Sequence, residues 1–284
     1  MRNWIARLVL AAGIAAAASP AWAQSRPLVT EDPETVPAGN ILLEGGFDYG
    51  QDVYYPASGL RGNLMRIGTL GVSFGVSSIA EIQLDGALRD SLSIKSMTPA
   101  PLSGMLLLSD PTRTGDIEDA RIGAKIRFMS EAPGRPAMSV RFWTKLPNAS
   151  NESGLGLDTT DFHFGFGIGK TIQSVRVVGN VGFGILADPV RGDSQNDVLD
   201  YGVSVARAVK QGVEIVGEVN GRFNTRSGTP PVGTESRSIM RIGSRFTHGP
   251  VRIDGALIVG VTERDPSWGF TTGVTWVFKA FEVK

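Results

Sequence analysis

The chain has 284 residues, no cysteine, two histidines, and 28 lysines and arginines against 28 acidic residues. Without cysteine there is no disulfide framework, no thiolate chemistry and no acylated cysteine to tether a lipoprotein, and the balanced charge removes the basic footprint that nucleic-acid binding requires. Beyond the start of the chain no run of about 18 apolar residues occurs, so a membrane can be crossed only by a closed barrel of strands.

In chain order, residues 1–23 read as a cleaved signal peptide. Arg2 and Arg7 charge its start, Leu8 to Ala18 is apolar, and Ala21-Trp22-Ala23 has the small-x-small form of a cleavage site, which leaves Gln24 first in the mature chain. Residues 24–40 form a leader in which Pro27, Pro33 and Pro37 disfavour a regular strand or helix. Its expected place is the periplasm or the barrel lumen.

From Ile41 to the end, residues 41–284, alternation with a period of two dominates. In 119–128, Ala120, Ile122, Ala124, Ile126 and Phe128 share one face while Arg121, Gly123, Lys125 and Arg127 share the other. Twelve such segments are expected, near 41–49, 64–76, 80–90, 119–128, 137–147, 161–172, 175–187, 198–207, 213–225, 238–247, 251–262 and 267–278. The even count and the paired apolar and polar faces predict an all-β fold, a transmembrane antiparallel up-and-down barrel with apolar side chains toward lipid.

The links alternate in length, as outer-membrane barrels require. External loops are expected at 50–63, 91–118, 148–160, 188–197, 226–237 and 263–266, and short periplasmic turns at 77–79, 129–136, 173–174, 208–212 and 248–250. Both termini then lie in the periplasm. Tyr49, Tyr201, Trp268 and Trp276 fall near strand ends on the apolar face, where interfacial aromatics belong. The last strand carries Phe270 and Phe278, with Phe281 following, an aromatic ending of the kind read by the outer-membrane assembly machinery.

Several segments resemble a known family. Arg26-Pro27-Leu28-Val29-Thr30-Glu31-Asp32 leading to Gly39-Asn40-Ile41-Leu42-Leu43-Glu44, then Gly115 to Lys125, then Phe142-Trp143-Thr144-Lys145-Leu146-Pro147 with Thr160-Asp161-Phe162, are similar to the outer-membrane transporter-like barrels grouped with the "MetA-pathway of phenol degradation" proteins. The resemblance implies an outer-membrane barrel spanning the whole mature chain. It carries over no binding residue.

Parity assigns candidate lumen residues: Glu81, Asp85 and Arg89 on the third segment, Arg121, Lys125 and Arg127 on the fourth, and Arg141 and Lys145 on the fifth. His163 follows on the sixth, Glu214, Glu218 and Arg222 on the ninth, and Arg245 on the tenth. Cross-strand charge pairs are expected between Glu81 and Arg127, between Asp85 and Lys125, and from Glu214 and Glu218 to Arg245. Mixed signs favour a salt-bridge ladder over an ion-selective constriction.

A hydrolase is disfavoured, since neither His163 on the lumen side nor His248 in a turn is placed to act on lipid esters. Gly165-x-Gly167-x-Gly169-Lys170-Thr171 lacks both the glycine spacing and the following helix of a phosphate loop. The acids Asp110, Asp116, Glu118 and Asp119 lack calcium-loop spacing. No enzyme activity, metal or cofactor is expected.

The expected function is a passive channel for small hydrophobic compounds, aromatic ones included, with outer-membrane lipid and the solute as partners. The alternative is a structural or surface-interaction barrel with a closed lumen. In the long loop 91–118, Met105, Leu106, Leu107 and Leu108 form an apolar run bracketed by prolines. It is expected to gate solute entry at the lumen mouth, or else to anchor in lipid or against a neighbouring barrel.

Overall fold

The computed structural model describes residues 25–283, so the signal-peptide reading of residues 1–23 lies outside the described residues. Thirteen strands follow the leader: β1 (Asn40–Tyr55), β2 (Leu60–Gly75), β3 (Ala80–Met97), β4 (Arg113–Asp116), β5 (Arg121–Met129), β6 (Ala137–Lys145) and β7 (Asp161–Ile172). β8 (Val175–Ala187), β9 (Gln195–Lys210), β10 (Val213–Asn224), β11 (Arg237–His248), β12 (Val251–Gly260) and β13 (Trp268–Lys279) complete them.

Both β4 and β5 pair with β3 and keep one register across the break, Asp90 facing Asp116 and Asp85 facing Arg121. Together they form one interrupted strand, and the result is a closed antiparallel barrel of twelve strands. β1 closes the ring by pairing with β13, Asn40 opposite Lys279 and Tyr49 opposite Phe270. Gly39 fastens the foot of this seam, donating to the Gly75 carbonyl at 2.8 Å and accepting from the Ala280 and Phe281 amides at 2.9 and 3.0 Å.

Two-residue turns join β7 to β8, β9 to β10 and β11 to β12. Gln173, Gly212 and Gly249 in them adopt positive φ of 55°, 72° and 58°, the twist that tight hairpins need. The other links at this end, 76–79 and 130–136, have four and seven residues; the external links at 98–120, 146–160 and 225–236 are longer, whereas 56–59 has four residues and 188–194 and 261–267 have seven each.

The turn at 56–59 departs from expectation, because β1, β2 and β3 run further than the alternation indicated, to Tyr55, from Leu60 and to Met97. Asp52 takes a φ of 56° at a register shift between Gly50 and Val53, so the pattern breaks there while the strand continues. Serines at 91, 93 and 96 hid the extension of β3 in the same way.

The expected inversion of faces is present. Ile82, Leu84, Leu88, Phe162, Phe164, Phe183, Ile242 and Leu257 are exposed on the outside, whereas Glu81, Gln83, Lys125, Glu218 and Arg245 are buried. Tyr49 and Trp268 contact each other on the outer wall at 5.6 Å, and Trp276 lies at the opposite rim beside Phe278.

β2 and β3 change faces together. At Gly68, with φ +66°, the buried set on β2 passes from Leu60, Gly62 and Leu64 to Gly71 and Gly75. On β3 it passes from Glu81, Gln83 and Ala87 to Asp90 and Leu92. Since both strands switch at the same level, their register survives.

Candidate functional site

The leader lies inside the barrel. Within fifteen residues it touches β2, β3, β5, β8, β10, β11, β12 and β13, a set that encircles the ring and can be reached only from the lumen. Arg26 donates to Thr271 Oγ1 at 2.9 Å and lies 3.5 Å from Asp254. Arg245 donates to the Arg26 carbonyl at 2.7 Å.

Wall acids take the leader's amides, and wall bases take its acids. Glu218 accepts from the Val29 and Thr30 amides at 2.9 and 2.8 Å, and Glu81 accepts from Val36 at 2.5 Å. Glu31 pairs with Lys125 at 3.0 Å, Asp32 pairs with Arg176 at 2.6 Å, and Glu34 pairs with Arg127. Asn180 holds Glu31 from both sides, accepting from its amide at 2.7 Å and donating to its carbonyl at 2.9 Å. Two small apolar contacts add to this, Leu28 on Ala206 and Val216, and Val36 on Leu42 and Val277.

Glycine makes the space. A Cβ at Gly202 would lie 2.7 Å from Thr30 Oγ1, and one at Gly169 would lie 2.9 Å from the Pro33 ring. Gly169 of β7 and Gly202 of β9 are therefore part of the floor under the leader.

The cross-strand pairs differ in part from the expected ones. Glu81 faces Lys125, at 3.1 Å, and not Arg127, because the β3–β5 register is offset by two residues from the one assumed. Asp85 meets Arg141 at 3.6 Å instead of Lys125. Glu214 does oppose Arg245, at 3.8 Å, but Glu218 opposes Arg241, at 2.8 Å. Arg121 pairs with Glu118, and Lys145 bridges Asp119 and Asp161, both at 3.1 Å. Arg222 donates to the carbonyls of Gly233 and Glu235, drawing the 225–236 loop inward.

Arg89 is not a lumen residue. The face change at Leu88 turns it outward, exposed and alternating with buried Asp90, and its guanidinium comes to rest beside Gly115.

His163 stacks on Trp143 with centroids 3.6 Å apart and 6° between planes, and its Nδ1 lies 2.6 Å from Asp200. Its ring rests over Gly184, where a Cβ would come within 2.7 Å. Arg121 and Arg141 each stand 5.9 Å from the Trp143 ring. This row fills the wall. His248 is exposed at the end of β11.

Toward the external end the inner wall becomes apolar. Leu60, Leu64 and Leu92 are buried, and half-buried Val53, Tyr55 and Ile94 of the strands and Leu106, Leu108 and Leu155 of the loops pack onto them. The leucine run of the long loop therefore divides. Leu106 and Leu108 point in, while Met105 and Leu107 are exposed. The loops are stitched to one another, Ser58 Oγ donating to the Gly154 carbonyl at 2.8 Å and the Leu107 amide to the Glu152 carbonyl at 3.0 Å.

Sequence reasoning missed Arg176, Asn180, Arg241, Asp254 and the Leu60–Leu64–Leu92 patch. The three leader acids were a signal for wall bases such as Arg176. The apolar patch lay beyond the face change and carried none.

No family model matches the chain, and no curated protein matches it in sequence. Among solved structures, an outer membrane channel from Pseudomonas putida F1 is similar with a TM-score of 0.60 and 13% identity, over 87% of this chain and 98% of that one. The NanC porin is similar with a TM-score of 0.51 and 10% identity, over 83% of this chain and 98% of that one. At these identities the likeness is one of fold: the chain is a twelve-stranded barrel of the kind that outer-membrane channels and porins share.

Proposed function

We propose that this protein is an outer-membrane channel that passes small hydrophobic compounds, aromatic ones included, with its leader as a lumen plug. The observation that carries the reading is the apolar inner wall at the external mouth, covered by loop leucines and not by neighbouring strands. Lifting Leu106, Leu108 and Leu155 exposes a surface of aliphatic groups and the Tyr55 ring, which suits an apolar solute.

Location follows from the same reading. The signal peptide of residues 1–23 is cleaved, the protein reaches the outer membrane, and the assembly machinery takes up its aromatic final strand. N-terminal sequencing of the protein recovered from outer membranes should begin at Gln24.

Proteoliposomes loaded with the full mature chain should take up radiolabelled toluene faster than empty liposomes, and a variant lacking residues 25–38 should be faster still. Equal rates in all three would leave the second reading, a structural barrel with a closed lumen. The density of charged contacts between leader and wall favours that alternative.

A further inference from the structure

The lumen bases are mostly paired, but a group on the outer wall is not. Arg61 of β2, Arg89 of β3 and Arg113 of β4 form no ion pair among the described residues, and Lys95 of β3 stands with them, paired to Asp52 at 2.6 Å. Arg61 and Arg113 alternate with inward-facing Leu60 and Thr114, the latter opposite buried Leu92, so both point away from the lumen. Arg113 faces Ser93, and Arg61 faces Ser96, which puts the four bases on neighbouring strands of one sector.

Their height is fixed by the aromatic ring. Tyr49 contacts Trp268 and lies opposite Met65, which in turn lies opposite Ser91. Arg113, Lys95 and Arg61 are two to four residues further out along their strands. At about 3.3 Å per residue and a tilt of about 40°, that places them roughly 5–10 Å above the ring, in the headgroup layer.

Arg89 starts lower, opposite Ile67, and its guanidinium reaches up to Gly115, where a Cβ would stand 3.3 Å from it. An arginine that lays its stem on the apolar wall and lifts its head over a glycine is snorkelling toward charge. Arg61 lies 4.8 Å over the Tyr54 ring and donates to the Asp52 carbonyl at 3.3 Å, which fixes where its guanidinium sits on the wall.

We infer that this sector binds a phosphorylated glycolipid of the outer leaflet, its phosphates held by Arg61, Arg89 and Arg113 with Lys95 at the edge. Guanidinium meets phosphate through two parallel hydrogen bonds, and the acyl chains lie along exposed Leu88, Ile67 and Leu70 below. The inference rests on the outer-membrane reading but not on what the channel carries.

The test uses the full mature chain in detergent with bisphosphorylated lipid A as probe, retention being read by native mass spectrometry. Each Arg→Gln change at 61, 89 or 113 should weaken binding about fivefold and the triple change about a hundredfold. Changing Arg207 and Lys210 to Gln, at the other rim, should leave it intact. The triple Arg→Lys variant keeps the charge and should stay within about tenfold of wild type, and heat-modifiable migration verifies that each barrel is assembled.

Unchanged retention in the assembled triple Gln variant would overturn the inference. So would equal retention of dephosphorylated lipid A, or competition by inorganic phosphate at the concentration at which lipid A binds. Toluene uptake measured on the same variants separates the two readings. A wild-type protein that retains lipid A but takes up no toluene overturns only the channel, and a wild-type protein that takes up toluene but retains no lipid A overturns only this site.

Discussion

Glu31 of the leader and Glu81 of β3 approach the same Lys125 ammonium, at 3.0 and 3.1 Å, and Lys125 and Glu81 have almost no solvent exposure. One cation thus joins the plug to two strands of the wall. Replacing Lys125 with Met leaves two carboxylates facing each other without a counterion. Removing one member of a buried ion pair costs about 3–5 kcal/mol. The expected outcome is a lower melting temperature together with a leader that proteases cut in the assembled barrel. A leader as resistant as wild type would show that Asp32–Arg176 and Glu34–Arg127 suffice.

The floor of the plug can be tested without touching charge. Gly202→Val places a branched side chain where Thr30 now lies, with a Cβ alone coming within 2.7 Å of its hydroxyl. The leader must shift while the outer wall is untouched. Single-channel conductance in planar bilayers should rise severalfold, with heat-modifiable migration unchanged.

The leucine run separates by residue. Leu106 and Leu108 pack on the Leu60–Leu64–Leu92 patch, and Leu107 does not. Serine at 106 or 108 should cost about 1–3 kcal/mol and speed protease cleavage of the loop at 98–112. Serine at 107 should stay within about 0.5 kcal/mol of wild type.

His163 is clamped between Trp143 and Gly184. Gly184→Ala brings a methyl within 2.7 Å of the imidazole, which cannot retreat because the indole lies 3.6 Å behind it. From residue 24 onward the sequence has three tryptophans, and the other two, Trp268 and Trp276, are on the outer wall. A change in indole emission that disappears in the Trp143→Phe background is the expected signature.

Acid should loosen one periplasmic turn. Burial works to raise the Glu131 carboxyl, but the Thr171 amide at 2.8 Å, the Lys170 ammonium at 3.2 Å and the Arg176 guanidinium outweigh it and hold it below the usual carboxylate value. A lowered folded value means that the stabilisation is complete above the unfolded value of 4.5 and is lost as pH falls through the folded one. Amide exchange at Thr171 should therefore quicken below about pH 4.5, and Glu131→Gln should abolish that dependence.

The strands were legible because each carries its own alternation, as in Ile82, Leu84 and Leu88, which needs no knowledge of its neighbours. Register was not. Whether Glu81 meets Lys125 or Arg127 depends on the link between β3 and β5, whose break at 117–120 preserves the pairing without any sequence mark. Arg89 failed for a related reason, since a parity argument assumes one face throughout and the change at Leu88 is paired with one at Gly68 on another strand. The leader offered prolines and three acids. Their partners lie more than 90 residues away, at Lys125, Arg127 and Arg176.

The ring closes between β1 and β13, the first strand and the last. That ladder is complete only when every other strand is in place, and Gly39, at its foot, is the residue from which the leader departs. The leader therefore begins at the seam that closes the ring. Its contacts all round the ring are then available to the unclosed sheet as a mandrel, drawing distant strands toward the curvature they need. A chain that lacks the leader should still form the same barrel, but more slowly, with the delay confined to the joining of β1 to β13.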